Sequence, residues 1–180
     1  RDVDICKISL ATACAVHETV KDVLESEKKG NLYLHWPNDI YYKNKKLSGI
    51  LLAAVDGWVV ISIGINIHSV SMPTAVSFDD IVSGVSVSAQ QLFDSVLNKL
   101  NIWVNLMLTE NFFDIREYWL CNIVGMNSEV TIRNGRDSLS GIIRDIDELG
   151  RLILERNDQR LHISSGDMFI NEKEIMVNYG

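Results

Sequence analysis

Within residues 35–52, HWPNDIYYKNKKLSGILL, an acid and a base stand seven residues apart, Asp39 and Lys46, on either side of a polar, lysine-rich turn. Pro37 fixes φ and removes a backbone donor, so it ends the preceding apolar run and is expected to aim Asn38 and Asp39 out of the sheet. With a turn through residues 42–45, Lys46 opens the return strand, and a β-hairpin brings carboxylate and ammonium to a common mouth. An acid and a base converging in this way form a site-like arrangement. The plain alternative is a hairpin tip whose charges face water, the usual fate of charges there.

A second constellation lies in VVISIGINIH, residues 59–68. Gly64 inside a strand signals close approach of a backbone or a ligand. Asn66 carries an amide donor and acceptor to the end of that strand, which suits the edge of a planar heterocycle. Alone, a bulge glycine and a strand-terminating Asn explain both. His17, His35, His68 and His162 are not at metal-ligand spacing, and His17 on a helix and His35 in a strand read as structural or exposed, so no metal ligands are assigned. Neither a Gly-rich phosphate loop nor a G-x-S-x-G or H-E-x-x-H string occurs.

The elements that must position these residues follow from periodicity. Ile8, Ala11, Ala15, Val16, Val20, Val23 and Leu24 recur at helical spacing, and the pattern predicts a helix over about residues 7–28 stopped by Gly30. Three strands are predicted over residues 32–36, 46–55 and 58–67, the last two joined by the hairpin pair Asp56-Gly57. Residues 68–84 lack either period and read as a long loop. From Ser88, a possible N-cap residue, the stripe Leu92, Phe93, Val96, Leu97, Leu100, Trp103 and Leu106 predicts a helix with that face buried. A shorter helix over residues 109–120 should turn Phe113, Tyr118 and Trp119 inward. After Cys121 the texture changes to short alternating runs at residues 129–133, 138–146, 151–155 and 160–163, separated by turn-forming Asn134-Gly135, Glu148-Leu149-Gly150 and Asn157-Asp158. A meander of this size is expected to close into a small barrel, with a domain boundary near residue 123.

Composition bounds the function. The 180 residues suffice for one domain plus a small second one. A net charge of −7 removes the electrostatic footprint of non-specific nucleic-acid binding, so no nucleic-acid partner is assigned to this chain. Lys43, Lys45 and Lys46 form a local basic turn. Cys6, Cys14 and Cys121 are odd in number and widely spaced, which fits a reducing cytoplasm better than a disulfide framework. No apolar run approaches the ~20 residues needed to cross a bilayer, so no membrane partner is expected. The first residue is Arg1, and the chain reads as beginning inside a larger protein.

Taken together, Trp36-Pro37-Asn38-Asp39, Lys46 in Lys-Leu-Ser-Gly-Ile-Leu, and Gly64-Ile65-Asn66 resemble the biotin protein ligases in order and spacing. The resemblance covers nearly the whole chain. It implies an α+β fold: a mixed sheet with helices on one face, being the C-terminal part of the catalytic domain over residues 1–122, then an SH3-like β-barrel over residues 123–180. It implies an enzyme that joins biotin to ATP as biotinyl-5′-adenylate and transfers biotin to a lysine of a biotin carboxyl carrier protein, with Mg²⁺ as cofactor. Lys46 would stand beside the biotin carboxylate and the adenylate phosphate, and Asp39 would orient or deprotonate the acceptor lysine. Gly49 and Leu51 match positions lining the biotin pocket, and Gly64 and Asn66 positions at the ligand and its adenine. Trp36 and Asn38 belong to the signature and are expected at the substrate site.

Departures from the pattern are His35 where Lys is frequent, Ala53 where Glu often follows, Ser62 where Gly is preferred, and Asn171 ending a Gly-acidic segment that begins at Gly166. The family's Gly- and Arg-rich loop would lie upstream of Arg1, which implies weaker activity, or none, for the 180 residues alone. A homodimer is left open as a second association. The alternatives are a lipoate-type ligase and a non-catalytic binding module. A biotin-dependent repressor would need a DNA-binding domain not seen in this chain.

Overall fold

The computed structural model describes residues 5–82, 87–109 and 112–170. In chain order the elements are α1 (Ile5–Val23), α2 (Ser26–Lys29), β1 (Leu32–His35), β2 (Asp39–Tyr42), β3 (Lys45–Val55), β4 (Trp58–Ile65), α3 (Phe78–Ile81), α4 (Ala89–Thr109), α5 (Phe113–Asn122), β5 (Glu129–Asn134), β6 (Asp137–Ile146), β7 (Leu152–Arg156), β8 (Gln159–Ile163) and β9 (Asp167–Ile170). The fold is α+β, with two antiparallel sheets ordered β1-β2-β3-β4 and β8-β7-β6-β5-β9. All ladders are antiparallel; among the described residues the parallel component of a mixed sheet is confined to isolated bridges such as Leu34–Ile123 and Lys46–Ala75.

Helix α1 is the centre of the structure. Leu10 to His17 are all buried, and the small residues Ala11, Ala13, Cys14 and Ala15 let the first sheet approach one side and α4 and α5 the other. Polar anchors fix that packing. Trp119 Nε1 donates to the Leu10 carbonyl at 3.0 Å, and Trp103 Nε1 donates to Glu18 at 3.0 Å. His17 Nε2–H faces the Leu32 carbonyl at 3.4 Å and leaves Nδ1 to accept from the Tyr118 hydroxyl at 2.8 Å. Burial holds His17 at a pKa of about 4, so it is neutral.

The second sheet is tied to this body by Arg116, which donates to Asp145 at 2.7 Å and to the Ile146 carbonyl at 2.9 Å. Its core is Val130, Ile132, Ile143, Ile146, Leu152 and Leu154. The ladder runs from β8 to β9, and among the described residues no ladder joins those two edge strands, so the meander is not closed by hydrogen bonds. Asn171 lies outside the described residues.

Several expectations are revised. The predicted first helix is two: α1 ends at Val23, and α2 forms the remainder. Phe93, Leu97 and Phe113, expected on buried faces, are exposed (57%, 47% and 55%), and Phe93 and Leu97 line an open apolar hollow with Ile61 and Ile63 of β4. The 68–84 loop contains α3, begun by a capping box between Ser77 and Asp80. Most consequential is β2, a strand over residues for which none was predicted, ahead of the expected turn. Its polar sequence Asp39-Ile40-Tyr41-Tyr42 buries only Ile40, which leaves no hydrophobic alternation to reveal it.

Candidate active site

Asp39 is therefore not thrown out of the sheet by Pro37. The chain turns through residues 36–38 and re-enters as β2, so Asp39 lies in the sheet opposite His35 on one side and Gly49 on the other. Residues directly opposed across antiparallel strands point to the same face. The row His35, Asp39, Gly49, Gly64 thus crosses all four strands on one face, away from α1.

Lys46 reaches this face by a device the sequence does not display. Three residues from Gly49, it would point to the opposite face in a regular strand. The register shifts between Ile40, opposite Ser48, and Tyr41, opposite Lys46, leaving Leu47 as an extra residue. The bulge buries both Leu47 and Ser48 and returns Lys46 to the side of Asp39. Lys46 Nζ donates to Asp39 Oδ2 at 2.6 Å. The lysine stem lies over Gly49, where a Cβ would meet Lys46 Cε and Nζ at 2.9 Å and Asp39 Oδ1 at 3.2 Å. Glycine at 49 is what makes room for the ion pair.

Partial burial pushes the Asp39 carboxyl up, Lys46 pulls it down, and the net direction is up. Asp39 is thereby a better base than a free carboxylate. Beyond the pair, Gly49 and Gly64 stand side by side, and a Cβ on Gly64 would meet nothing nearer than the Gly49 carbonyl oxygen at 4.0 Å. The result is a flat stretch of bare backbone next to a charged pair, bordered by Leu51, 68% exposed, and its partner Ser62.

Of the eight residues expected at a site, five converge on this face: Asp39, Lys46, Gly49, Leu51 and Gly64. The other three stand behind it. Trp36 is 1% exposed and belongs to the core, because it continues the buried alternation of Leu32 and Leu34; it reaches only the wall of a 220 Å³ hollow. Asn38 donates through Nδ2 to the Ile50 carbonyl at 2.6 Å, and its own carbonyl accepts from the Ile50 amide at 2.9 Å, which clamps the 36–38 turn onto β3. Asn66 Nδ2 donates to the carbonyls of Lys46 at 3.3 Å and Val76 at 3.1 Å, so it staples the start of β3 to the following loop. For a heterocycle edge it retains only its amide oxygen.

Tyr41, which the sequence reading did not single out, flanks the pair together with His35 and Asp167. Tyr41 shares a face with Asp39 two residues earlier, and its ring stacks on His35 with centroids 4.4 Å apart and 20° between planes. Burial and then the charge of Lys46 lower the pKa of His35 to about 4. Asp167, at the start of β9, is exposed, and its charge acts on His35, Asp39 and Tyr41. The two-residue repeat would have placed Tyr41 here had β2 been recognised as a strand.

Known proteins resemble this chain in sequence and in fold. Residues 2–68 match the model of the biotin/lipoate A/B protein ligase family, and residues 125–170 match that of the biotin protein ligase C terminal domain. The biotin–[acetyl-CoA-carboxylase] ligase of Mycobacterium tuberculosis is 28% identical over 166 residues, which cover 89% of this chain and 61% of that protein. The ligase of the same name from Paracoccus denitrificans is 24% identical over 175 residues, 91% of this chain and 72% of that protein. For the bifunctional ligase/repressor of Bacillus subtilis the values are 25% over 177 residues, 90% and 52%. The chain thus spans about half to three quarters of the length of these relatives. Biotin protein ligase from Aquifex aeolicus superposes with a TM-score of 0.81 at 20% identity, over 93% of this chain and 75% of that one, which shows the fold. With the ligase model over the site and the C-terminal domain model over the second sheet, in that order on one chain, the protein belongs to the biotin protein ligase family.

Proposed function

We propose that the protein activates biotin with ATP and transfers it to a lysine of a biotin carboxyl carrier protein. The observation that carries this reading is the Lys46–Asp39 pair at 2.6 Å beside the bare backbone of Gly49 and Gly64. Relatives named as biotin ligases, and an Aquifex aeolicus structure in complex with biotin and ATP, support it.

In the first half-reaction a biotin carboxylate oxygen attacks the α-phosphorus of ATP, and pyrophosphate leaves with the bonding electrons. Both reactants are anionic. Lys46, aimed over the glycine floor, lowers their repulsion and stabilises charge on the phosphoryl oxygens. In the second, the acceptor lysine Nζ attacks the acyl carbon, the bond to the phosphate oxygen breaks, and AMP leaves. An amine with an ordinary pKa near 10.4 must first lose a proton. Asp39, whose carboxyl is pushed up, orients that amine and accepts the proton.

Gly49 and Leu51 would line the biotin side and Gly64 the nucleotide side, with Trp36, Asn38 and Asn66 as supports. Among the described residues no three His, Cys, Asp or Glu side chains converge on a metal site, and Mg²⁺ would enter with the phosphates of ATP. Residues 1–122 would form the catalytic domain and residues 123–180 the C-terminal one. A cytoplasmic location fits three free cysteines, and no helix of the described residues is long and apolar enough to cross a membrane.

The test is transfer of labelled biotin to a carrier domain by the full-length protein with Mg²⁺-ATP, repeated with Lys46→Ala and Asp39→Ala. Lys46→Ala should lose adenylate formation by about 10²–10³-fold, the usual cost of removing one such donor. Asp39→Ala should impair the transfer step more than adenylation. Full activity in both variants would overturn the assigned roles, and preference for lipoate over biotin would move the substrate to the lipoate branch.

A further inference from the structure

On the exposed face the Asp39–Lys46 pair divides two unlike surfaces. On the β3–β4 side lies the flat glycine floor, open enough to take an acyl adenylate. On the β1–β2 side stands a wall, the Tyr41 ring backed by the His35 ring at 4.4 Å. An acyl adenylate lying on the floor with its carbonyl at Lys46 leaves only the wall side of Asp39 open for an incoming amine.

The wall has the chemistry such a group needs. A lysine side chain has a four-carbon stem that packs on a ring face and a cationic end that an aromatic face and carboxylates attract. Asp39 is at one end of the wall, and Asp167 approaches from β9. His35 is neutral near pH 7 and adds no opposing charge. Lys46, opposite Tyr41 across the β2–β3 ladder, is held by Asp39.

Building on the ligase reading, we infer that Tyr41, braced by His35, is the subsite that guides the acceptor lysine to Asp39. Tyr41 is a positioning residue for the second half-reaction. It takes no part in adenylate formation, which occurs over Gly49 and Gly64. His35 stacks on the ring, with centroids 4.4 Å apart and 20° between planes, and so fixes its tilt.

The test separates the half-reactions in the full-length protein. Biotinyl-adenylate formation is followed by single-turnover pyrophosphate release. Its consumption is then followed with the carrier domain and, separately, with hydroxylamine, a small amine with no stem to guide. Tyr41→Leu should form adenylate within about threefold of wild type, react normally with hydroxylamine, and transfer to the carrier at least tenfold more slowly through a raised KM. Tyr41→Phe, which keeps the ring, should restore transfer.

Normal carrier transfer by Tyr41→Leu would overturn the inference, as would equal loss with carrier and hydroxylamine. Adenylate formation by Tyr41→Leu also reports that the variant is folded. Failure of the wild type to form adenylate at all would overturn the ligase reading itself, an outcome distinguishable from both.

Discussion

Gly49→Ala is the sharpest probe of the site, because the geometry assigns opposite outcomes to stability and activity. The backbone accepts alanine, since Gly49 is not among the residues with positive φ. The added Cβ would sit 2.9 Å from Lys46 Cε and Nζ. Ordinary carbon contacts lie at ~3.5–4.0 Å, so the end of the lysine must move by roughly 1 Å. It can, because the Lys46 side chain is 44% exposed and flexible. The partly exposed ion pair is worth about 0–1 kcal/mol. Replacing glycine by alanine at a compatible position returns about 0.4–1 kcal/mol by restricting the unfolded chain. The net change is within about 1 kcal/mol, or roughly 2–4 °C in Tm. Activity should respond otherwise: a 1 Å misplacement of a catalytic group can cost about 10²-fold. Thermal unfolding and single-turnover adenylate formation on one preparation measure both. Unchanged activity would refute the claim that clearance over Gly49 places Lys46, and a fall in Tm beyond about 5 °C would refute the cheap relocation.

Two further predictions rest on buried polar groups. His17 has a folded pKa of about 4 against an ordinary 6.5, so between these values the unfolded chain binds the extra proton. Stability is therefore full above about pH 7 and falls as pH drops, by about 2 kcal/mol per such histidine between pH 7 and 5. Partly exposed His35 adds a smaller loss in the same direction. Urea titrations at the two pH values test this, and a His17→Gln variant should show a shallower slope; an unchanged slope would clear His17 of the effect. The Ser48 hydroxyl is buried with no hydrogen-bond partner among the described residues, so Ser48→Ala should be neutral or gain up to about 1 kcal/mol. A loss of that size would reveal a partner for the hydroxyl.

The acid, the base and their spacing were legible in the sequence because residue type carries them. What they do was legible only through the family likeness. How they meet was hidden for two reasons. A four-residue strand with one buried side chain has no period to read, so β2 was not predicted and Tyr41 was overlooked. A bulge breaks the alternation from which facing is inferred, so counting from Gly49 would put Lys46 on the wrong side. Trp36, Asn38 and Asn66 show the converse. Their types suited ligand contact, but a buried strand and unsatisfied backbone carbonyls used them first. Phe93, Leu97 and Phe113 fit a helical stripe, but periodicity locates only a face and not how deeply each residue on it is buried.

The bulge at Leu47 has one more effect, on which parts of the segment can vary. The face taken by Lys46 is counted from the β3–β4 ladder, where Gly49 meets Gly64 and Ser48 meets Ile65, and not from the Lys43-Asn44 tip. Tip length is thereby uncoupled from the chemistry: residues can be added at positions 43–44 while Lys46 keeps its aim. Between Lys46 and Gly49 the count behaves as a parity. Losing or gaining a single residue there would reverse the lysine to the helix side, where Leu47 now fills the core, whereas no change at the tip has that power.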